Sequence, residues 1–291
     1  MSSAPRIVAG YTADDSGADA LALAARLARA SGALLEVVMV LPSEARNASV
    51  PTDAGYERFL KEQSQSWLAA ASRGLGDGVE RALHIRYAES FAEGLILAAH
   101  EFGARLIVVG AARGGLFGRS RIGSVADELL HSSDVPVALA PAGARETPVD
   151  LGVTRVTTMI GTRPGAETLL DASVRLARQT ESPLRLLSLA SIDLPAGLDE
   201  HLAALTGSAH ADEVLEEARR ALPDGIAASA ATATGSSIED AVRALDWEPG
   251  EMVLVGSSRL AAPRHLFLGS TAAKMLRELP VPMIVVPRTT A

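Results

Sequence analysis

An internal repeat narrows the fold more than any other feature of this chain. Residues 106–141, LIVVGAARGGLFGRSRIGSVADELLHSSDVPVALAP, recur at 252–287 as MVLVGSSRLAAPRHLFLGSTAAKMLRELPVPMIVVP, offset by 146 residues without a gap. Gly110 aligns with Gly256, Gly123-Ser124 with Gly269-Ser270, Val135-Pro136 with Val281-Pro282, and Pro141 with Pro287. Earlier segments repeat at an offset of 149, so that Ala25-Arg26-Leu27-Ala28-Arg29 is echoed by Val174-Arg175-Leu176-Ala177-Arg178. Such a period is too long for a solenoid unit and suits a whole small domain. The chain therefore reads as two copies of one fold, over 1–143 and 151–291, joined by a short polar linker at 144–150.

Within the repeat, Leu106–Val109 is a short apolar run closed by Gly110, the pattern of a strand buried on both faces of a parallel sheet. A loop rich in Gly and Arg follows. A helix then opens at Gly123-Ser124, with Val125, Leu129 and Leu130 along it, and an Asp-Val-Pro turn leads into a last apolar run, Val135–Ala140. The free N–H groups of Gly123, Ser124 and Val125 would face the loop, and the helix dipole adds positive potential there. Strand, glycine loop and helix start make a place for an anion.

The rest of each copy alternates in the same way. In the first, strands are expected at Arg6–Gly10, Ala33–Leu41 and Val79–Tyr87, and helices at Ala18–Arg29, Tyr56–Arg73 and Ser90–Phe102. Tyr56–Arg73 puts Phe59, Leu60, Trp67 and Leu68 on one face, where Trp67, like Trp247, reads as a packing residue. Ser90 followed by Glu93 has the spacing of a capping box. In the second copy, strands are expected at Arg155–Ile160, Leu184–Leu189, Ile226–Ala233, Met252–Val255 and Val281–Val286, and helices at Ala166–Thr180, His210–Leu222 and Ser237–Leu245. The fold class is α/β: two tandem, doubly wound, five-stranded parallel-sheet domains related by a pseudo-twofold axis. Such sheets bind ligands at the carboxyl ends of their strands, where strand order reverses. The last strand of each copy would be an exposed apolar edge in isolation. Antiparallel pairing of the two edges, as an intramolecular domain pair, would hide both; a homodimer is a further association open to the chain.

Composition removes several function classes. Aromatic residues make up 3% and the net charge is −8, which fits no nucleic-acid partner. No cysteine is present, hence no thiolate metal site or Cys nucleophile. No run of about 18 apolar residues and no leader pattern occur, so no membrane partner and a cytoplasmic protein are expected. The six histidines have no metal-ligand spacing. No G-x-S-x-G elbow, Walker A motif or S-G-G-x-D-S loop occurs, and a non-catalytic protein is expected.

The pattern strand–Gly–loop–Gly-Ser–helix–Val-Pro–strand, met twice, resembles the universal stress protein family over the whole chain. The resemblance implies the fold of the adenine nucleotide α-hydrolase-like group, a role in stress response, and ATP as the ligand. Its nucleotide-binding members carry G-x2-G-x9-G-[S/T]. Carried over, the first copy offers Gly110, Gly123, Ser124 and Val125, with Val40 near the base and Thr12 where the family has an Asp. The second copy offers Gly256, Gly269, Ser270 and Thr271. Arg113 and Arg259 stand where the family's second Gly is expected. An Arg there either clamps phosphate or blocks the cradle. In the first copy Gly114-Gly115 follow the Arg and permit a phosphate nest. Asp14 and Asp15 offer oxygens for Mg²⁺, a polar turn being the other reading. Nucleotide is therefore expected in the first copy, between Thr12, Val40 and the loop Gly110–Val125. The alternatives are a nucleotide-free interaction module of the same fold and an ATP hydrolase.

Overall fold

A computed structural model describes residues 4–43, 54–113, 120–121, 123–161, 165–191, 200–258 and 266–288. The first half runs β1 (Arg6–Gly10), α1 (Asp15–Ser31), β2 (Leu34–Pro42), α2 (Ala54–Gly74), β3 (Arg81–Ala88), α3 (Phe91–Phe102), β4 (Leu106–Gly110), a small hairpin β5 (Ala112–Arg113) and β6 (Ser120–Arg121), α4 (Ser124–Ser132) and β7 (Val137–Ala140). The second half runs β8 (Val156–Met159), α5 (Ala166–Gln179), β9 (Leu184–Ser191), α6 (Glu200–Arg220), β10 (Ala228–Gly235), α7 (Ile238–Arg243), β11 (Met252–Gly256), α8 (Ser270–Glu278) and β12 (Met283–Val286).

The strands form one ten-stranded sheet in the order β10-β9-β8-β11-β12-β7-β4-β1-β2-β3. Within each half all pairings in this large sheet are parallel, and strand order reverses beside β1 and beside β8. The two halves meet where β12 pairs antiparallel with β7, placing Met283 opposite Leu139 and Val285 opposite Val137. The expected pairing of last strands is thus present, although both strands start two residues later than the apolar runs that announced them. The Val-Pro turns precede them, because Pro lacks the N–H a ladder needs.

Alternation along the strands divides the core into two layers that run unbroken across the junction. Ile7, Ala9, Leu35 and Val37 pack with α1, α2, α5 and α6, together with Ala138 and Ile284. Val8, Val38, Ile107 and Val109 pack with α3, α4, α7 and α8, together with Leu139 and Val285. Period-2 geometry sends successive residues to opposite faces, so each strand serves both layers.

Local signals explain both ends of α1 and of α3. Asp14 caps α1 by accepting from the Gly17 N–H at 2.8 Å, and Gly32 closes it at φ 65°. Ser90 caps α3 through the Glu93 N–H, while the Glu93 carboxylate reaches back to the Glu89 N–H at 2.9 Å. The reciprocal bond therefore lands one residue upstream of the usual capping box. Helix α6 starts at Glu200, ten residues before the charged stretch that signalled it. Helix α2 departs from expectation in its packing. Leu68 is buried, but Trp67 is 41% exposed and Phe59 also faces solvent. The helix covers the sheet margin at β2 and β3, where only one narrow stripe of it meets strands. Among the described residues, no helix is long and apolar enough to cross a membrane.

The linker is strapped to α1. Asp19, 1% exposed, accepts from the Gly143 N–H at 3.0 Å and the Arg145 N–H at 3.1 Å, and the Arg145 guanidinium pairs with Asp15 at 2.8 Å. Removing Asp19 leaves two part-buried donors without their acceptor. Asp19→Ala is expected to lower the unfolding free energy by about 2 kcal/mol, read from urea titrations of the two proteins.

Candidate ligand site at the carboxyl edge of the second half

In a doubly wound sheet the first helix leaves toward one face and the fourth strand's helix toward the other, which opens a crevice between them. The second half has such a crevice between β8 and β11: a cavity of about 350 Å³, within the range of small-molecule sites. Met159, Ile160 and Val255 supply its floor from the strand ends. Leu169 and Val214 close it from one helix layer, and Ile238, Ala272 and Met275 from the other. Polar groups converge on this apolar bowl: Ser188, Ser257, Ser258, Thr271, His210 and Arg288. Gly161, Gly165, Gly256 and Gly269 line it where backbone comes closest.

Two helices present their N-terminal ends here. Gly269 is the N-cap of α8 with extended backbone and no side-chain cap, and Gly165, at φ 96°, precedes α5. Their first-turn N–H groups make this end of the cavity favourable for negative charge. The wall below is rigid. The Ser257 N–H bonds the Val286 carbonyl at 2.8 Å, and the Ser258 N–H bonds the Phe267 carbonyl at 2.8 Å. The Ser257 hydroxyl accepts from the Phe267 N–H at 2.8 Å. Arg288 is fixed from α5, since Thr168 donates to its carbonyl at 3.0 Å.

The sequence-derived residues fall on this site unevenly. Gly256, Gly269 and Thr271 line the cavity, and Leu189, the counterpart of Val40, does so too. Ser270 is the exposed first residue of α8. Sequence reasoning missed Met159, Ser188, His210 and Arg288. The Ser pair after Gly256 was the one local signal available, because the others come from elements whose ends meet only in three dimensions.

The corresponding crevice of the first half is narrowed by its own helix. A Cβ placed on Gly110 would lie 2.2 Å from the Ser16 carbonyl oxygen, so the first turn of α1 rests directly on this glycine. The Ser16 hydroxyl also donates to the Ala111 carbonyl at 3.3 Å. By contrast, the nearest atom to such a Cβ on Gly256 is a Leu169 methyl at 3.7 Å. The offset of 149 places Gly165 where Ser16 stands, and α5 begins one residue beyond it.

Other first-half candidates have structural partners. The Thr12 hydroxyl donates to Asp14 at 2.8 Å, and Asp14 is committed to capping α1. Asp15 pairs with Arg145. In the structure the Asp14 and Asp15 carboxylates are thus engaged by the cap of α1 and by Arg145, and among the described residues no group of three or more His, Cys, Asp or Glu that could hold a metal ion occurs. Burial, and then Asp14, pushes the neighbouring Tyr11 hydroxyl pKa up. Val40 is buried against Gly94 of α3. Gly123 is the N-cap of α4, Ser124 follows it exposed, and Val125 packs into the core layer beneath. Arg113 belongs to the hairpin, opposite Ser120. Gly114, Gly115 and Arg259 lie outside the described residues.

Fold and crevice define a tandem, doubly wound α/β protein with a ligand-sized site at a switch point. Comparison with known proteins gives the family. The chain belongs to the universal stress protein family, whose model matches residues 4–141 and again 153–287. It is 33% identical to universal stress proteins of Mycobacterium tuberculosis and Mycobacterium bovis, over 97% of this chain and 99% of each relative. Its fold is similar to that of a universal stress protein from Archaeoglobus fulgidus, with a TM-score of 0.70 at 17% identity over 99% of this chain and 100% of the other. A functionally unknown protein from Pseudomonas aeruginosa shares the fold at a TM-score of 0.62 and 14% identity, over 98% and 93% of the two chains.

The two equivalent glycines should respond differently to a methyl group. Gly110→Ala forces backbone apart and is expected to destabilise by about 1–3 kcal/mol. Gly256→Ala places its methyl at ordinary contact distance and should stay within about 0.5 kcal/mol of wild type. Thermal unfolding of the two variants measures both.

Proposed function

We propose that the protein is a non-catalytic stress-response protein that binds an adenine nucleotide, with ATP as the ligand, in the second-half cavity. The observation that carries this reading is the bowl between β8 and β11. It has an apolar floor suited to a base, and two helix N-termini and Arg288 at hand for phosphates. The motif glycines support it, because Gly256 and Gly269 both line this cavity, and the nearest atom to a Cβ on Gly256 would be a Leu169 methyl at 3.7 Å. This moves the favoured copy from the first half, where Gly114-Gly115 had pointed, to the second. The proposed division remains 1–143, linker 144–150 and 151–291, with a cytoplasmic protein acting as a domain pair.

The second reading is a nucleotide-free interaction module. Phe59, Trp67, Leu83 and Tyr87, all exposed on α2 and β3, favour it as apolar contacts available at the outer margin of the first half. ATP hydrolysis is the third reading, and steady turnover above a no-enzyme control would bring it forward.

Calorimetry with ATP separates these readings. Wild type is expected to give saturable heat. Gly269→Leu, which extends a side chain from the N-cap of α8 into the cavity, should abolish it, and Gly123→Leu should leave it unchanged. Loss in the Gly123 variant alone would return the site to the first half, and no heat in wild type would favour the interaction module.

A further inference from the structure

A second cavity, of about 470 Å³, lies at the junction of the two halves. The linker, including Glu146 and Pro148, forms one side. Trp247 and Glu248 ahead of β11, and Pro280 ahead of β12, form the other. Both sides meet because β7 and β12 are antiparallel: the chain leaving β7 arrives beside the amino ends of β11 and β12.

Arg26 of α1 lines this cavity while only 2% exposed. Its Nε has no hydrogen-bond acceptor. Burial alone lowers its pKa, to about 10, and no carboxylate acts in the opposite direction. The guanidinium is therefore still charged near neutral pH. A buried, charged guanidinium without a counter-charge is costly, and native interiors normally pair it.

The fold does not require this arrangement. Arg175, the equivalent residue of α5 in the second half, is exposed to solvent. What buries Arg26 is the linker and the second half folding over it, features peculiar to the tandem junction. Two carboxylates also line the cavity. Glu248 is already paired with Arg155, and among the described residues no ion pair joins Glu146 to Arg26. The cavity thus holds an uncompensated positive group beside room for its partner.

We propose that the junction cavity is a binding site for a small oxyanion, a carboxylate or phosphate group, with Arg26 as its principal ligand. The planar fork of a guanidinium offers two parallel N–H donors to either group. Trp247 and the flanking prolines present an apolar wall, suited to the body of a small organic acid or phosphate ester. A molecule held there touches both halves at once, so its occupancy would tighten the domain pair.

The test uses the full chain in low-salt buffer, titrated calorimetrically with inorganic phosphate and, separately, with acetate. Saturable binding of at least one is expected, and the two arms tell a phosphate site from a carboxylate site. Arg26→Met should weaken that binding by about tenfold or more, the effect of losing charge-assisted hydrogen bonds. Arg175→Met should leave it intact. Without anion, Arg26→Met should melt at the same or a higher temperature than wild type, since an apolar side chain replaces an unpaired buried charge. Absence of saturable binding in wild type would overturn the proposal. So would binding that survives Arg26→Met, which would place the anion elsewhere. A lower melting temperature in Arg26→Met with no anion response in either protein would assign Arg26 to an internal pair with Glu146.

Discussion

The antiparallel ladder between β7 and β12 is the interaction on which the rest of the molecule depends. Each strand is a four-residue run, fully buried in the pair, and each would be an exposed apolar edge in an isolated half. Joining them converts two five-stranded sheets into one of ten strands, and it continues both helix layers across the seam. The antiparallel sense also sets the geometry of function. It turns the carboxyl edges of the two halves to opposite ends of the sheet, so the two switch points cannot form one shared site. It also delivers the linker to the amino edge of the second half, where Arg26 is enclosed.

Contacts off the sheet reinforce the same pseudo-symmetry. The Leu266 N–H bonds the Ser133 carbonyl at 2.8 Å, and His131 meets the Phe267 ring edge-on at 4.9 Å between centroids. Reciprocally, β6 of the first half, whose residues correspond to 266–267, runs beside α8 of the second. Each half thus reaches across the seam with the segment just ahead of its Gly-Ser helix. Symmetry ends at the switch points. At Gly110 the backbone of the first turn of α1 lies on the strand end through the Ser16 carbonyl, whereas at the matching position Gly165 precedes α5 in a left-handed conformation and lines the cavity. The two aligned glycines therefore differ: Gly110 lies under the first turn of α1, and Gly256 borders the cavity.

Much of this was legible in the sequence. The ungapped repeat, the buried strand runs and the Gly-Ser helix starts marked two doubly wound domains and their antiparallel seam. Local signals such as Asp14 and Ser90 marked helix starts through hydrogen bonds that involve neighbouring residues only. What escaped depends on distant backbone. No local pattern tells that Ser16 lands on Gly110, or that Arg288 and His210 line one cavity. Arg26 and Arg175 sit in nearly identical sequence, yet one is buried and the other solvated, because only the first lies under the linker. Phe59 and Trp67 were misjudged for a related reason: helical spacing identifies an apolar face but not how much sheet is present to cover it.

The seam is tested most directly by native-state hydrogen exchange resolved to the amides of 137–139 and 283–285. If these strands are joined, their slowest amides should exchange only through global unfolding, as core strands do. They should be far more protected than amides on the outer strands β3 and β10. Exchange of both segments as fast as those outer edges would contradict a continuous ten-stranded sheet and separate the protein into two independent halves.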